Sequence, residues 1–345
     1  MQDRILYVHP YNNYTGSTKV LIDLLKSQYS DLSCVTVIAG DFQEGFLSGL
    51  DINFIKIPIF KYRGRAVPFL SQIVWLVVGF FKVLYYSSNY DCIYINTILP
   101  VFAAIAARCR RKKVVYHIHE KWIVNNYKSR LEEFVLRHVK AHHIFVSKYL
   151  QEQYPDIYSP TDEIRYNKLS KEYVNEIELV PLDLHSRNKV IMLASLNRCK
   201  GIDKFIEVAA AMPEFSFTLI ISSQMDIINE YFRDINISSN VQLLSRQSNV
   251  HPYLKEADFI INLSNPSVCV ETFGLTIIEG MAYGLPAIAP NVGGPTEIIK
   301  NGINGYCIDV VDTNEIIETI KKCSKWEEYK KLYNNALVEV ERFKY

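Results

Sequence analysis

Twice along the chain, short apolar runs of strand length alternate with stretches of helical periodicity. A polar, poorly periodic interval at 173–189, with Pro181 inside it, separates the two sets. In the first set the strand-like runs are 5–9, 34–39, 53–57, 91–96, 113–119, 143–146 and 164–166, and helical stretches fall at 69–86, 101–108 and 130–139. In the second set the runs are 190–194, 215–221, 241–244, 259–263 and 287–290, with helices expected at 202–211 and 225–233. Alternation of this kind predicts an α/β protein whose parallel sheets carry helices on both faces. At 345 residues the chain has room for two such domains.

Composition narrows the function. Apolar residues make up 49% of the chain, so sizeable cores are available, and a net charge of +1 argues against a dedicated nucleic-acid binder. The seven cysteines, Cys34, Cys92, Cys109, Cys199, Cys269, Cys307 and Cys323, are scattered and odd in number, with no C-x-x-C pair, as expected of reduced thiols in the cytoplasm. The N-terminus runs straight into a strand without a signal peptide. The segment 66–86 approaches membrane-spanning length, but Pro68, Ser71, Gln72, Gly79 and Lys82 interrupt it. Its place between two strands predicts a buried or surface-docked crossover helix.

The chemistry concentrates in 270–286. After the apolar run at 259–263, Leu275, Ile278, Ala282 and Leu285 recur at helical spacing, Gly274 stands where that helix opens, and Gly284-Leu285-Pro286 closes it. A glycine at a helix start gives a ligand close access to unpaired backbone N–H groups, and such an end favours an anion, most often phosphate. Glu271 and Glu279 flank it, and carboxylates suit hydroxyl groups rather than anions. A sugar nucleotide offers hydroxyls at both ends and phosphate between them. A second strand–loop–helix junction carries Arg198, Lys200 and Gly201, with Lys200 placed as a diphosphate ligand. No D-x-D triplet occurs, so no metal site is expected.

Glu271 to Glu279 resembles the E-x(7)-E motif of retaining glycosyltransferases of family 4, which have the GT-B fold. The segments 280–286, 292–299 and 301–306 look like the same family, in order. The resemblance implies two Rossmann-like doubly wound domains facing across a cleft. It divides the chain into an acceptor-binding domain at 1–172, a linker at 173–189, a sugar-nucleotide domain at 190–325, and a helix at 326–345 that crosses back to the first domain. It further implies a hexosyltransferase-type enzyme that uses a nucleotide-diphosphate sugar as co-substrate, with no cofactor and no metal. Glu279 would bind the ribose hydroxyls, Glu271 the hydroxyls of the transferred sugar, and the backbone of Phe273, Gly274, Leu275 and Thr276 the diphosphate. Lys200 would stabilise the leaving group, with Arg198 beside it as a second donor-binding charge. Gly16, in the loop at 10–18, resembles the glycine-bearing loop that faces the donor. His119, at a strand end, matches a histidine that the family often places there.

The basic run Arg108, Arg110, Arg111, Lys112 and Lys113, with Arg63 and Arg65 ahead of the apolar helix, suggests that the first domain could rest on an anionic membrane surface. The expectation is a cytoplasmic enzyme, peripheral on the inner face of the membrane, that builds a cell-surface polysaccharide such as O-antigen or capsule on a glycan or lipid-linked acceptor. Two rivals remain: a GT-B sugar-nucleotide epimerase, which donor-only incubation would reveal, and a catalytically silent sugar-nucleotide-binding partner.

Overall fold

Ile38, Val8, Ile95, Tyr116 and His143 lie side by side across five parallel strands, one row of a sheet assembled from distant parts of the chain. The computed structural model describes residues 3–41, 44–59, 61–62, 65–66, 68–121, 127–157, 159–180, 182 and 187–345. The chain divides into two units, Met1–Tyr166 and Asn167–Tyr345. Arg63, and Pro181 with residues 183–186, lie outside the described residues.

Unit 1 carries β1 (Ile5–Asn12), β2 (Thr36–Asp41), β3 (Asn53–Ile57), a short antiparallel pair β4 (Lys61–Tyr62) and β5 (Arg65–Ala66), β6 (Cys92–Asn96), β7 (Lys113–Ile118), β8 (His142–Phe145) and β9 (Glu163–Ile164). Seven of these strands form one parallel sheet in the order β3-β2-β1-β6-β7-β8-β9. Strands buried on both faces need near-continuous apolar sequence, and Leu6, Tyr7, Val8, Ile93 and Ile95 supply it. The crossovers are α1 (Gly16–Gln28), α2 (Pro68–Tyr86), α3 (Val101–Cys109), α4 (Tyr127–His138) and α5 (Lys148–Glu152).

Helix α2 is the one described helix long and apolar enough to cross a membrane. One side packs: Trp75 is buried, its indole N–H donates to the Pro10 carbonyl at 3.0 Å, and its ring meets Phe102 edge-on at 4.9 Å. Gly79 allows α3 to approach, because a Cβ there would come within 2.7 Å of the Phe102 ring. The opposite side, Leu70, Ile73, Val77, Phe81 and Tyr85, is exposed.

The first helix of unit 2 is α6 (Lys171–Asn175), which runs into the interval read as a linker. Tyr173 is buried there, and its hydroxyl donates to the Glu279 carbonyl at 3.2 Å. The sheet follows: β10 (Lys189–Ala194), β11 (Ser216–Ile221), β12 (Val241–Leu244), β13 (Phe259–Ile261), β14 (Ala287–Pro290) and β15 (Gly305–Ile308), all parallel, in the order β12-β11-β10-β13-β14-β15. Its helices are α7 (Ile202–Ala211), α8 (Met225–Tyr231), α9 (His251–Glu256), α10 (Leu275–Met281), α11 (Pro295–Ile298), α12 (Thr313–Cys323) and α13 (Trp326–Val340). Helix α13 lies against α10 and α12. Beyond it the chain returns to the start of the same unit, where the Leu169 N–H donates to the Phe343 carbonyl at 2.7 Å. Each unit is thus Rossmann-like, the α/β architecture expected from the alternation.

Candidate functional site

In unit 2 the polar groups gather on loops that leave the carboxyl ends of β10, β13 and β14, three neighbours in the sheet. Loops there are where doubly wound sheets bind ligands. The β10 loop tightens into a single turn of 3-10 helix, Arg198–Lys200, in which the Cys199 N–H donates to the Asn197 side chain. Gly201 follows with φ +74°, and a Cβ on it would overlap the Leu263 carbonyl. The Asn265 N–H donates to the Cys199 carbonyl at 2.8 Å, so the β10 loop is tied by backbone to the β13 loop.

That fastening brings Lys200 to Glu271. The Lys200 ammonium donates to Glu271 Oε2 at 2.8 Å, and the Asn262 amide and Ser264 hydroxyl reach the same oxygen at 3.2 and 3.4 Å. Burial alone would depress the Lys200 ammonium, but the Glu271 charge and hydrogen bond outweigh it and leave its pKa above the ordinary value. Burial likewise pushes the Glu271 carboxyl up, and Lys200, Asn262 and Ser264 together hold it below the usual carboxylate range. Both groups are therefore charged at neutral pH. Side-chain exposures of 27% for Lys200 and 17% for Glu271 keep the pair within reach of solvent. An ammonium has three hydrogens and Glu271 takes one, so the same lysine can hold the carboxylate and an incoming anion together. Among the described residues no donor meets Glu271 Oε1.

The β14 loop buttresses the pair from behind. The Gly294 N–H donates to the Glu271 carbonyl at 2.9 Å, and Gly293, at φ +97°, leaves no room for a side chain against that carbonyl. Helix α10 opens at Gly274 in a left-handed conformation, with no side chain capping it, so the first N–H groups of Leu275 and Thr276 lack helical partners. The Phe273 ring turns inward against Phe343 at 5.8 Å and leaves its backbone beside that helix end. Glu279 sits on α10, only 5% exposed. Arg198 points elsewhere: it is well exposed, faces Asp203 at 3.8 Å, and lies over the Tyr231 ring.

Gly16 and His119 belong to unit 1. Gly16 starts α1, and a Cβ on it would meet nothing within 4 Å. His119 follows β7, with its ring 4.2 Å from that of His117, and its Nε2 is 2.9 Å from Asn96 Oδ1. Asn96 also reaches His9 Nδ1 at 2.9 Å. Burial pulls His9 and His117 down to about 3, opposed at His9 by the Asn96 hydrogen bond and reinforced at His117 by Arg165. His119 falls well below its ordinary value for the same first reason, with His117 and His9 adding to it. Burial pushes the neighbouring Glu120 up to about 7, although the Ile98 N–H and the Thr97 hydroxyl both bond it. Sequence reasoning missed His9, Asn96 and Glu120, and in unit 2 it missed Asn262 and Ser264. The available signal was the same for four of them: a polar residue at or just past the carboxyl end of an apolar run.

Residues 179–337 match the family profile of glycosyl transferases group 1. The unit that holds Lys200 and Glu271 carries a glycosyl transferases group 1 domain. N-acetyl-alpha-D-glucosaminyl L-malate synthase of Bacillus anthracis is similar, 29% identical over 183 residues that cover 50% of this chain and 44% of that protein. An uncharacterized glycosyltransferase of Methanocaldococcus jannaschii is 29% identical over 191 residues, 54% of this chain and 51% of its own length. The chain spans about half the length of these curated relatives. Anabaena HepE, in complex with UDP and glucose, superposes with a TM-score of 0.78 at 19% identity, covering 99% of this chain and 96% of HepE. Sucrose-phosphate synthase of Thermosynechococcus elongatus does so with a TM-score of 0.75 at 15% identity, covering 99% and 94%. These solved structures share the fold. Within the group 1 domain, Lys200, Glu271 and the α10 end are contiguous, whereas Arg198 stands apart from them.

Proposed function

We propose that this chain is a retaining glycosyltransferase of family 4, using the E-x(7)-E pair Glu271 and Glu279 on a nucleotide-diphosphate sugar. The observation that carries the reading is the Lys200–Glu271 ion pair, held at 2.8 Å on adjoining loops of a group 1 domain. Glu271 offers Oε1 to hydroxyls of the transferred sugar while Oε2 stays bound by Lys200, Asn262 and Ser264. The remaining Lys200 hydrogens and the N–H groups at Phe273, Gly274, Leu275 and Thr276 neutralise the diphosphate as charge builds on it. Buried Glu279 takes the ribose hydroxyls. Gly16 and His119 keep the donor-facing roles that the sequence resemblance implies, and Arg198 is at most an outer charge.

The transfer is metal-independent in this reading, because a fixed lysine and backbone N–H groups do the work of a divalent ion. The complex of HepE with UDP makes uridine the first base to test. Thermal stabilisation by UDP, GDP, TDP and ADP identifies the donor base, since a ligand of the folded state raises stability. Sugar transfer that continues in excess EDTA supports the reading. Loss of transfer in EDTA, restored by Mn²⁺ or Mg²⁺, overturns the metal-independent part of it.

The acceptor is a lipid-linked glycan in this proposal, as in O-antigen or capsule synthesis, reached from the cytoplasmic face of a membrane. What supports it is the exposed row Leu70, Ile73, Val77, Phe81 and Tyr85 on α2, with the basic run at its end: Arg110 donates to the Leu84 carbonyl at 3.2 Å. An apolar face bordered by cations suits an anionic lipid surface.

A further inference from the structure

Two cysteines stand beside the Lys200–Glu271 pair, one on each of the loops that carry it. Cys199 directly precedes Lys200 and is buried, and Cys269 stands two residues before Glu271 and is half-buried. Both backbones are fastened to Asn265. Its N–H donates to the Cys199 carbonyl at 2.8 Å, and its carbonyl accepts from the Cys269 N–H at 2.8 Å. The Cys199 thiol has the Cys269 side chain as its hydrogen-bond partner. Burial, and then that bond, push the Cys199 thiol up to about 12, with Lys200 opposing. Both sulfurs also act on the Lys200 charge. Cysteines far apart in sequence are thus brought together at the ion pair, and both are free thiols.

We propose that Cys199 and Cys269 form a dithiol modification site, closed to a disulfide by a low-molecular-weight disulfide, and that closure parts Lys200 from Glu271. Cys269 is the more exposed thiol and the less burdened by burial, so it reacts first. It gives up its proton, and its sulfur attacks one sulfur of the small disulfide, R–S–S–R. The departing RS⁻ takes that proton. Cys199 then gives up its proton and attacks the Cys269 sulfur, and the second RS⁻ leaves and is protonated. Two electrons and two hydrogens pass to R–S–S–R, which becomes two RSH. A covalent S–S bond is shorter than the contact of two unbonded thiols, so closure draws the two loops together. Gly201 already presses on the Leu263 carbonyl, so the Lys200 turn twists rather than slides, and its ammonium swings off Glu271. The consequence for sugar transfer rests on the reading above, and the covalent step does not.

The test treats the full chain with oxidised glutathione, in a Cys34→Ser, Cys109→Ser background that removes the two exposed thiols. Peptide mapping without reduction should find Cys199 joined to Cys269. Acetic anhydride labelling of Lys200 should then rise about tenfold for each pKa unit that Glu271 no longer supplies. Transfer should fall about a hundredfold, the scale of a misplaced catalytic group, and dithiothreitol should restore it. Cys269→Ser should transfer like the background protein and ignore the oxidant. Unchanged thiols, or a stable glutathione adduct on Cys269, overturn the dithiol site. A joined pair with unchanged Lys200 labelling overturns the parting of the ion pair. Joined and relabelled protein with undiminished transfer overturns the effect on turnover, and equal inactivation of Cys269→Ser overturns the pair as its cause. Should the background protein fail to fold, the wild-type map and labelling decide. The expected map and labelling in a protein that transfers no sugar even when reduced leave the dithiol site standing and remove the transfer reading instead.

Discussion

Gly201 presses against the carbonyl of Leu263, so the lysine loop and the strand that leads to Glu271 touch where one of them has no side chain. Its φ of +74° adds a second reason for glycine. Gly201→Ala should cost at least about 1–2 kcal/mol from the left-handed conformation alone. Overlap with the Leu263 carbonyl would also push the Lys200 turn outward. Urea unfolding and donor titration should both worsen. Wild-type values in both would mean that the loop has slack that the close approach denies.

Lys200→Ala tests the charge at the leaving group. A preorganised cation is worth more in the transition state than in the resting complex. The variant should lose about two to three orders of magnitude in kcat/KM, with kcat itself lowered. Steady-state kinetics at saturating donor are the measurement. A wild-type kcat would reduce the lysine to a binding group.

Glu279→Ala tests the far end of the donor. Losing a charged acceptor to the ribose should weaken binding of the cognate nucleoside diphosphate by about 1.5–3 kcal/mol, with the fold retained. Calorimetric titration checks it, and an unchanged affinity rules out the ribose contact.

Much of this was readable in the sequence for a physical reason. Parallel strands covered on both faces need unbroken apolar runs, so β1, β6, β10 and β13 announce themselves. Lys200 and Glu271 each sit in a local pattern of strand, loop and helix. The short β15, Gly305–Ile308, did not stand out, because four residues following an Asn-Gly turn carry little periodicity. Tyr173 reads as the start of a polar interval, yet it is buried by a contact to Glu279, 106 positions away. The Asn96 network was invisible for the same reason: Asn96 and His9 are separated by 87 positions and meet only through the register of β1 against β6. Local sequence encodes that each strand exists, and it does not encode which residues face each other.

The buried histidines predict acid sensitivity. His9 and His117 ionise near 3 in the folded chain and near 6.5 when unfolded. Between those values the unfolded state binds more protons, so stability should fall as pH drops from 6.5 toward 3. Glu120, at about 7 folded and 4.5 unfolded, works the other way and favours the folded state as pH drops through that interval. Two histidines outweigh one carboxyl, so urea midpoints should decline from pH 6.5 to 4. His9→Gln should flatten the slope. A flat wild-type profile would mean that the histidines are not held neutral.

Val77→Asp together with Phe81→Asp tests the apolar face of α2. Both positions are at least half exposed, so folding should be unaffected. Co-sedimentation with phosphatidylglycerol vesicles should drop sharply, and the wild type should bind less at high salt. Equal sedimentation of both proteins removes the membrane proposal and leaves the donor site untouched.

The strand order of unit 2 also bears on refolding. β10, β11 and β12 are consecutive in sequence and neighbours in the sheet, whereas β13 pairs on the other side of β10. The contact between Lys200 and Glu271 closes across 71 positions of chain. Contacts of long sequence separation form slowly because closing the loop comes before any gain. Donor affinity, followed during refolding, would accordingly act as a clock for the docking of β13, lagging behind the helical signal that the earlier crossovers generate.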